Sequence, residues 1–343
     1  MKLKSVIKPI VFLLIFILIF SCLSAVLCRK TIYGPWDYTN KIAGFYNSPA
    51  NEYDVLFFGS SNTYCSFNPL VLYEETGIKS YVFATQLQPV WATYTYMKEA
   101  LKTQKPKVIV MDVLMFSYDN EYSDEGVNYS YMDDLPWSAN KLELAGVSSP
   151  KNNERFSLLF NFIKYHSRWN EVSKEDFTFN RKNAGDYLKG YVLLENTNPN
   201  PPSPQADTES TKSLGKKQEE YFYKIVNLAK ENNIALLLVK TPSNVKKEDQ
   251  QRYNMVKELS QKTNTIFIDY NRQYDKIGIN MKTDFYDKSH LNYIGAERFT
   301  KYFSKELNSL YPDIKPKDIN DTDDIWNEDV LKYHKYCQNI TKN

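Results

Sequence analysis

Two short stretches bring together side chains that can do chemistry: GSSN at positions 59–62 and DKSH at positions 287–290. A serine hydroxyl is a weak nucleophile until a base takes its proton, and histidine titrates close enough to neutrality to act as that base. Asp287 lies three residues before His290, so one short loop can present both. A carboxylate there can bind the Nδ1 proton, fix the tautomer and leave Nε2 to accept a proton from a serine. Ser60 and Ser61 stand where an apolar run stops, the place such a nucleophile would need to be. G-S-S alone is an ordinary turn, and D-x-x-H alone reads equally well as a helix cap beside a surface histidine. Their value lies in occurring together. The three histidines, His166, His290 and His334, are far apart, and the chain has no HExxH, no CxxC pair and no P-loop. A metal site is therefore not expected, and nothing implies a cofactor.

The elements that must position these residues are legible as short apolar runs at 54–58, 80–84 and 107–113, and again at 234–240 and 265–270. Each is unbroken rather than alternating, as strands buried on both faces are. Helical spacing fills the gaps: Val90, Tyr94, Met97 and Leu101 within 88–104, then 219–233, 246–262 and 293–310. The pattern predicts a flavodoxin-like three-layer α/β/α sandwich with a mainly parallel five-stranded sheet, in which ligands sit at the carboxyl ends of strands beside the reversal of strand order. Gly59, at the end of the first strand, is the prime position. Residues 31–114 and 214–311 form this domain. Residues 115–213 break the rhythm and read as an insertion, a lid or substrate wall with a helix over 156–169. Residues 196–213, rich in proline and small polar residues, form an exposed loop. The tail, 312–343, reads as polar and peripheral.

The first thirty residues carry a separate message. Lys2, Lys4 and Lys8 precede an uncharged run from 9 to 28, closed by Arg29 and Lys30. Twenty apolar residues match a bilayer span, and the run is longer than the core of a cleaved secretory signal. The expectation is a single transmembrane signal anchor with a cytoplasmic amino terminus and the remainder outside the membrane; a lipoprotein site at Cys22 fits poorly because Phe20 is bulky. Cys65 and Cys337 are the two cysteines beyond the anchor, enough for one disulfide and no framework. Lys+Arg 43 against Asp+Glu 41 leaves a net charge of +2, without the basic concentration of a nucleic-acid binder.

With GSSN after a buried strand and D-x-x-H before the last helix of the domain, the chain resembles the SGNH/GDSL hydrolase superfamily over roughly 53–113 and 214–310. The resemblance implies a flavodoxin-like fold and a nucleophile at the third position of the first block, hence Ser61, with Asp287 and His290 completing a triad. Ser60 replaces the usual Asp of that block. The Asn that normally follows the third strand as an oxyanion donor is missing from the segment 111–120. Its substitutes would be the backbone N–H of Ser61 or Asn62, beside Gly59, or a side-chain amide from Gln88 or, less favoured, Gln86. In the insertion, His166 reads as a structural or lid residue, and Arg168 as a group able to hold an anion. A membrane anchor and a large insertion make the chain most similar to the extracytoplasmic branch acting on cell-envelope polymers, including the teichoic-acid D-alanyl transfer protein and polysaccharide O-acetyltransferase proteins. That implies acyl transfer to, or removal from, an envelope polysaccharide or teichoic-acid-like polymer, with a multi-spanning membrane O-acyltransferase as partner. The alternatives are a plain carbohydrate esterase and a non-catalytic adaptor that binds a wall polymer or such an acyltransferase.

Overall fold

The computed structural model describes residues 3–200, 207–314 and 323–340; positions 201–206 of the proline-rich loop and 315–322 of the tail lie outside the described residues. Five strands form one parallel sheet: β1 (Val55–Phe58), β2 (Ser80–Val82), β3 (Val108–Asp112), β4 (Ala235–Lys240) and β5 (Ile266–Asp269). Their order is β2-β1-β3-β4-β5, with Val55 of β1 opposite both Ser80 and Val108. The chain leaves β1 for one edge and returns to lay β3 on its other side, so the order reverses between β1 and β3.

The strands form because runs of Val, Ile, Leu and Phe can bury both faces only between helical layers. Val55–Phe58 and Val108–Asp112 are buried throughout. β5 departs from that expectation: it is the edge strand and only half-buried, so its hydrophobic residues serve one face.

Helices α1 (Leu3–Leu27) and α2 (Tyr38–Asn47) precede the sheet, and α3 (Ser61–Ser66), α4 (Pro69–Thr76) and α5 (Val90–Ala100) lie among the first strands. The insertion contributes α6 (Glu125–Met132), α7 (Ala139–Ser148), α8 (Asn152–Leu159), α9 (Asn161–Tyr165) and α10 (Lys174–Thr178). Then come α11 (Lys216–Glu231), α12 (Lys247–Lys262), α13 (Tyr274–Ile277), α14 (Tyr293–Leu310) and α15 (Asp323–Ile340). The sheet's two faces divide the aromatic core. Phe57 packs against Phe67 and against Phe303 of α14, whereas Phe58 meets Phe83, which in turn packs on Tyr96 of α5.

Three sequence expectations need correction. The single helix expected over 156–169 is broken at Phe160, whose extended backbone (φ −118°, ψ 97°) separates α8 from α9. The tail is not peripheral throughout, because Trp326 and Tyr333, seven residues apart on one face of α15, are buried against the domain. Cys65 and Cys337 are free thiols rather than a disulfide, Cys65 being sealed in the core. As expected, α1 is apolar over Ile7–Leu27 and long enough to cross a membrane; its last turns are also engaged by the insertion, with Phe20 packing on Phe160 and Phe162 at ring-centroid distances of 6.0 and 5.2 Å.

Candidate active site

β1 ends at Gly59, whose φ of +148° disfavours any residue with a side chain. A Cβ there would fall 2.1 Å from Thr63 Oγ1 and 3.2 Å from Asp112 Cβ, so the chain can turn into α3 only without one. The two serines then part company. Ser60 is the N-cap of α3, fully buried, and its hydroxyl has no hydrogen-bond partner. Ser61, the first helical residue, lines a cavity of about 770 Å³. The carbonyl of Ser60 accepts from the N–H groups of Thr63 and Tyr64. The N–H groups of Ser61 and Asn62, in the first turn, have no acceptor within the helix.

His290 reaches the same cavity from the loop before α14. An antiparallel bridge between Phe285 and Leu291, with Tyr286 N–H donating to the His290 carbonyl, closes this loop on itself. Asn244 N–H donates to the Lys288 carbonyl and ties it to the end of β4. At its base, Asn292 caps α14 by accepting from Gly295 N–H. A Cβ on Gly295 would stand 2.2 Å from the Asp284 carbonyl oxygen, so the loop can lie this close to the helix only over glycine.

Within the loop the Asp287 carboxylate has three donors: His290 Nδ1 at 2.8 Å, His290 N–H at 2.8 Å and Ser289 N–H at 2.7 Å. Burial pushes its pKa up, but the imidazole and these two backbone donors outweigh burial and hold the carboxyl below the usual range. The anion fixes Nδ1 as the protonated nitrogen, which leaves Nε2 with a lone pair. Nε2 is buried and has no partner among the described residues. The Trp36 ring stands edge-on to the imidazole with centroids 6.5 Å apart.

A second buried group in this cavity lacks a partner, the side-chain amide nitrogen of Asn62. An unmade hydrogen bond of that kind costs about 1–3 kcal/mol, which a ligand oxygen would recover. Leu114, Ser117 and Tyr253 form part of the opposite wall. Behind Ser61, burial raises the Tyr64 phenol well above its ordinary pKa while a hydrogen bond from the Ser61 hydroxyl opposes the rise. Tyr64 also shares a 2.7 Å hydrogen bond with Tyr38. In this resting arrangement the Ser61 hydroxyl has Tyr64 as a neighbour and a cavity shared with His290.

The other sequence candidates go elsewhere. The Gln88 amide is engaged within its own loop, its oxygen accepting from Thr85 N–H and Oγ1 and one of its N–H groups donating to Thr93 Oγ1, and the buried residue does not line the cavity. Gln86 is exposed, and its carbonyl accepts from Ser130. His166 is exposed and turns Nδ1 to the Ile163 carbonyl. Arg168 donates to the Leu27 and Cys28 carbonyls at the end of α1 and pairs with Asp176 at 2.8 Å. Neither residue lines the cavity that holds Ser61 and His290, because the part of the insertion that carries them packs on the end of α1. Among the described residues, no group of His, Cys, Asp and Glu is arranged to hold a metal ion.

Sequence reasoning passed over Trp36, Tyr64 and Asp112. Tyr64 follows Ser61 by three residues, nearly one helical turn, a spacing that was available. Trp36 sits in a segment with no periodicity to direct it. Asp112 accepts from the N–H and hydroxyl of Thr241, joining the ends of β3 and β4 beside Gly59.

No protein-family model and no curated protein matches the chain. Solved structures do. One described as an acylhydrolase from Bacteroides fragilis aligns over 78% of this chain and 94% of its own at 13% identity and a TM-score of 0.38. A variant of an acetyl-xylooligosaccharide esterase from Geobacillus aligns over 76% and 96% at 12% identity and 0.36. A GDSL-like lipase from Parabacteroides merdae aligns over 77% and 99% at 12% identity and 0.37. At such scores, what the site does has to be argued from its own geometry.

Proposed function

We propose that this protein is an extracytoplasmic, membrane-anchored serine acyltransferase or esterase of SGNH type, using Ser61, His290 and Asp287. The observation that carries the proposal is His290: its Nδ1 is held by Asp287, while its buried, partnerless Nε2 shares a cavity with Ser61. Ser61 swings from Tyr64 towards Nε2, gives up its proton and attacks the carbonyl of an acyl donor. The tetrahedral oxyanion takes hydrogen bonds from the Asn62 amide and the N–H of Ser61. His290 returns the proton to the departing oxygen, leaving an acyl-Ser61. An acceptor hydroxyl then gives its proton to Nε2, attacks the ester and leaves with the acyl group, while the proton goes back to Ser61. With water as acceptor the same steps are hydrolysis.

Transfer to an envelope polysaccharide or teichoic-acid-like polymer is the reading we prefer. α1 tethers the site to the membrane, where an acyl group passed across the bilayer by a multi-spanning O-acyltransferase would arrive at high effective concentration. The test uses the full chain in lipid nanodiscs. A fluorophosphonate should label the peptide containing Ser61, should fail to label Ser61→Ala, and should still label Ser60→Ala, which loses only a buried hydroxyl. Labelling that persists in Ser61→Ala overturns the nucleophile. Supplying an acetyl donor and a glycan acceptor together, then measuring free acetate and acetylated glycan, separates the two fates; acetate alone would leave an esterase.

A further inference from the structure

The insertion exposes large hydrophobic side chains: Trp137 (59%), Phe156 (53%), Trp169 (73%) and Phe177 (70%). These residues are gathered around the outer half of α1. Trp137 and Phe156 share a cavity of about 650 Å³ with Phe16, Phe20 and Phe160. Phe177 and Trp137 line a second cleft with Cys22 and Val26, and Trp169 follows Arg168, which is bonded to the carbonyls that end α1.

Height along α1 decides what covers them. Its uncharged run from 9 to 28 has twenty residues, about 30 Å of helix, the thickness of a hydrocarbon layer. There is no surplus length to stand above the bilayer. Phe20 lies seven residues before Leu27 and Phe16 eleven, roughly 10 and 16 Å inside the end of the helix. The insertion touches α1 at both depths. Lipid that covers the free side of α1, where Phe12 is 71% and Leu18 63% exposed, meets the insertion at the same height.

The junction is built to hold that position. Lys30 Nζ donates to the carbonyls of Ala25, Val26 and Cys28, and Arg168 to those of Leu27 and Cys28, so two cations close the carboxyl end of α1. Asp176 of α10 pairs with both. Behind the exposed rings two of the insertion's cations are taken up internally, Lys164 by Asp133 and Lys141 by the Leu135 carbonyl, while Lys182 at the cleft that holds Phe177 is exposed, placed to meet lipid headgroups. Aromatic residues in this setting match the belts that membrane proteins place at the lipid interface.

We infer that the insertion is a membrane-embedded element, its Trp137, Phe156, Trp169 and Phe177 sunk into the outer leaflet of a phospholipid bilayer beside α1. The inference rests on the reading that α1 crosses the membrane. Burial in the leaflet gives the anchored domain a fixed height and tilt, which a single flexible tether would not.

The experiment is tryptophan quenching in phosphatidylcholine nanodiscs, with and without bromine on the acyl chains near the headgroup, using the full chain and no other protein. Of the five tryptophans, Trp91 and Trp326 are buried in the α/β domain and Trp36 packs on His290. The wild type should lose emission in brominated lipid, and W137F/W169F should lose that quenching while keeping its fold by circular dichroism. Alkaline carbonate extraction of the same chain from vesicles tests α1 separately. A chain that resists extraction yet shows no quenching from Trp137 and Trp169 overturns the inference alone, and points to helices of a partner protein as the cover. So does a double variant quenched like the wild type. A chain that is extracted and unquenched overturns the membrane crossing with it.

Discussion

Asp287→Asn tests the base directly, because the change keeps the shape of the side chain and removes only its charge and one acceptor. In the native loop the carboxylate faces the imidazole at 2.8 Å and will face an imidazolium once Ser61 has lost its proton. Two unit charges about 4 Å apart interact by about 4 kcal/mol at an effective dielectric constant of about 20. The Asp287 side chain is 44% exposed, so solvent screening reduces this to about 2 kcal/mol. That is roughly 30-fold in rate. The tautomer adds to it. An amide at position 287 can keep its oxygen on the N–H groups of Ser289 and His290 and turn its NH2 to Nδ1, which forces the ring proton onto Nε2. Nε2 then donates where it must accept, a change that in serine proteases brings the loss to about 10⁴. Asp287→Asn should therefore lower the second-order rate of fluorophosphonate labelling at Ser61 by between about 30-fold and 10⁴-fold. The measurement is intact-mass kinetics, which needs no knowledge of the natural substrate. Labelling of Asp287→Asn within a few-fold of the wild type would refute the assignment of His290 as a base oriented by Asp287.

Three further outcomes follow from individual contacts. Asn62→Ala should lower kcat by about 10²–10³ with little change in KM, because its amide acts on charge that develops only in the transition state. The melting temperature should not fall, since the resting protein loses an unsatisfied buried group. Gly59→Ala should destabilise the fold by about 3 kcal/mol or more, from backbone strain and the collision with Thr63 Oγ1. Thermal unfolding of Gly59→Ala with and without Thr63→Ala separates the two, the second change relieving only the collision. Burial pushes the Asp176 carboxyl up, but Arg168, the Ser173 backbone and Lys30 hold it down to about 2, against an ordinary value of 3.8. A depressed folded pKa means the clasp contributes fully above the ordinary value and is lost as pH falls from there towards about 2. Limited pepsin digestion across that window should release the insertion progressively in the wild type, whereas Asp176→Asn should show the loosened insertion already at neutral pH with a neutral protease.

What could be read from the chain itself was whatever depends on local pattern. Buried parallel strands need unbroken apolar runs, so all five strands and their order in the chain were visible. The Asp287–His290 contact spans three residues of one loop and was equally open to inspection. Arg168 was the instructive failure. Beside a histidine, in a segment with no pattern of its own, it read as a group for an anionic ligand, yet the charges it serves are the carbonyls of α1 and Asp176, reached from 140 or 141 and from 8 residues away. Helix carbonyls carry no sequence signal, so nothing in the stretch 166–168 could announce them. Gln88 failed for a different reason: its amide suits an oxyanion in type and position along the chain, and only the turn around Thr85 and Thr93 reveals that it is held inside its own loop, away from the cavity. Asn62 was on the same list of candidates, and what distinguishes it is an unspent donor inside the cavity.

The segment between α1 and the domain sets the reach of the site. Trp36 packs on the His290 ring, and Tyr38, two residues on, bonds the Tyr64 phenol behind Ser61. Trp36 is eight residues along the chain from Cys28, at the end of the uncharged run. Even fully extended, that stretch spans no more than about 29 Å. The base therefore lies within roughly 35 Å of the end of that run, the stretch of chain plus one ring contact. A secreted enzyme free to follow its polymer has no need of such a limit, and a long flexible linker would remove it. Here the same few residues follow α1 and wall the base, through the contact of Trp36 with His290. On the proposal that α1 crosses the membrane, that coupling favours a donor delivered at the bilayer surface. Inserting a flexible glycine-serine segment after Lys30, combined with Arg168→Ala and Asp176→Ala to release the insertion from the end of α1, should lower acyl transfer from a membrane-borne donor through the loss of effective concentration, while leaving fluorophosphonate labelling of Ser61 unchanged. Equal transfer from the lengthened chain would show that the donor reaches Ser61 through solution.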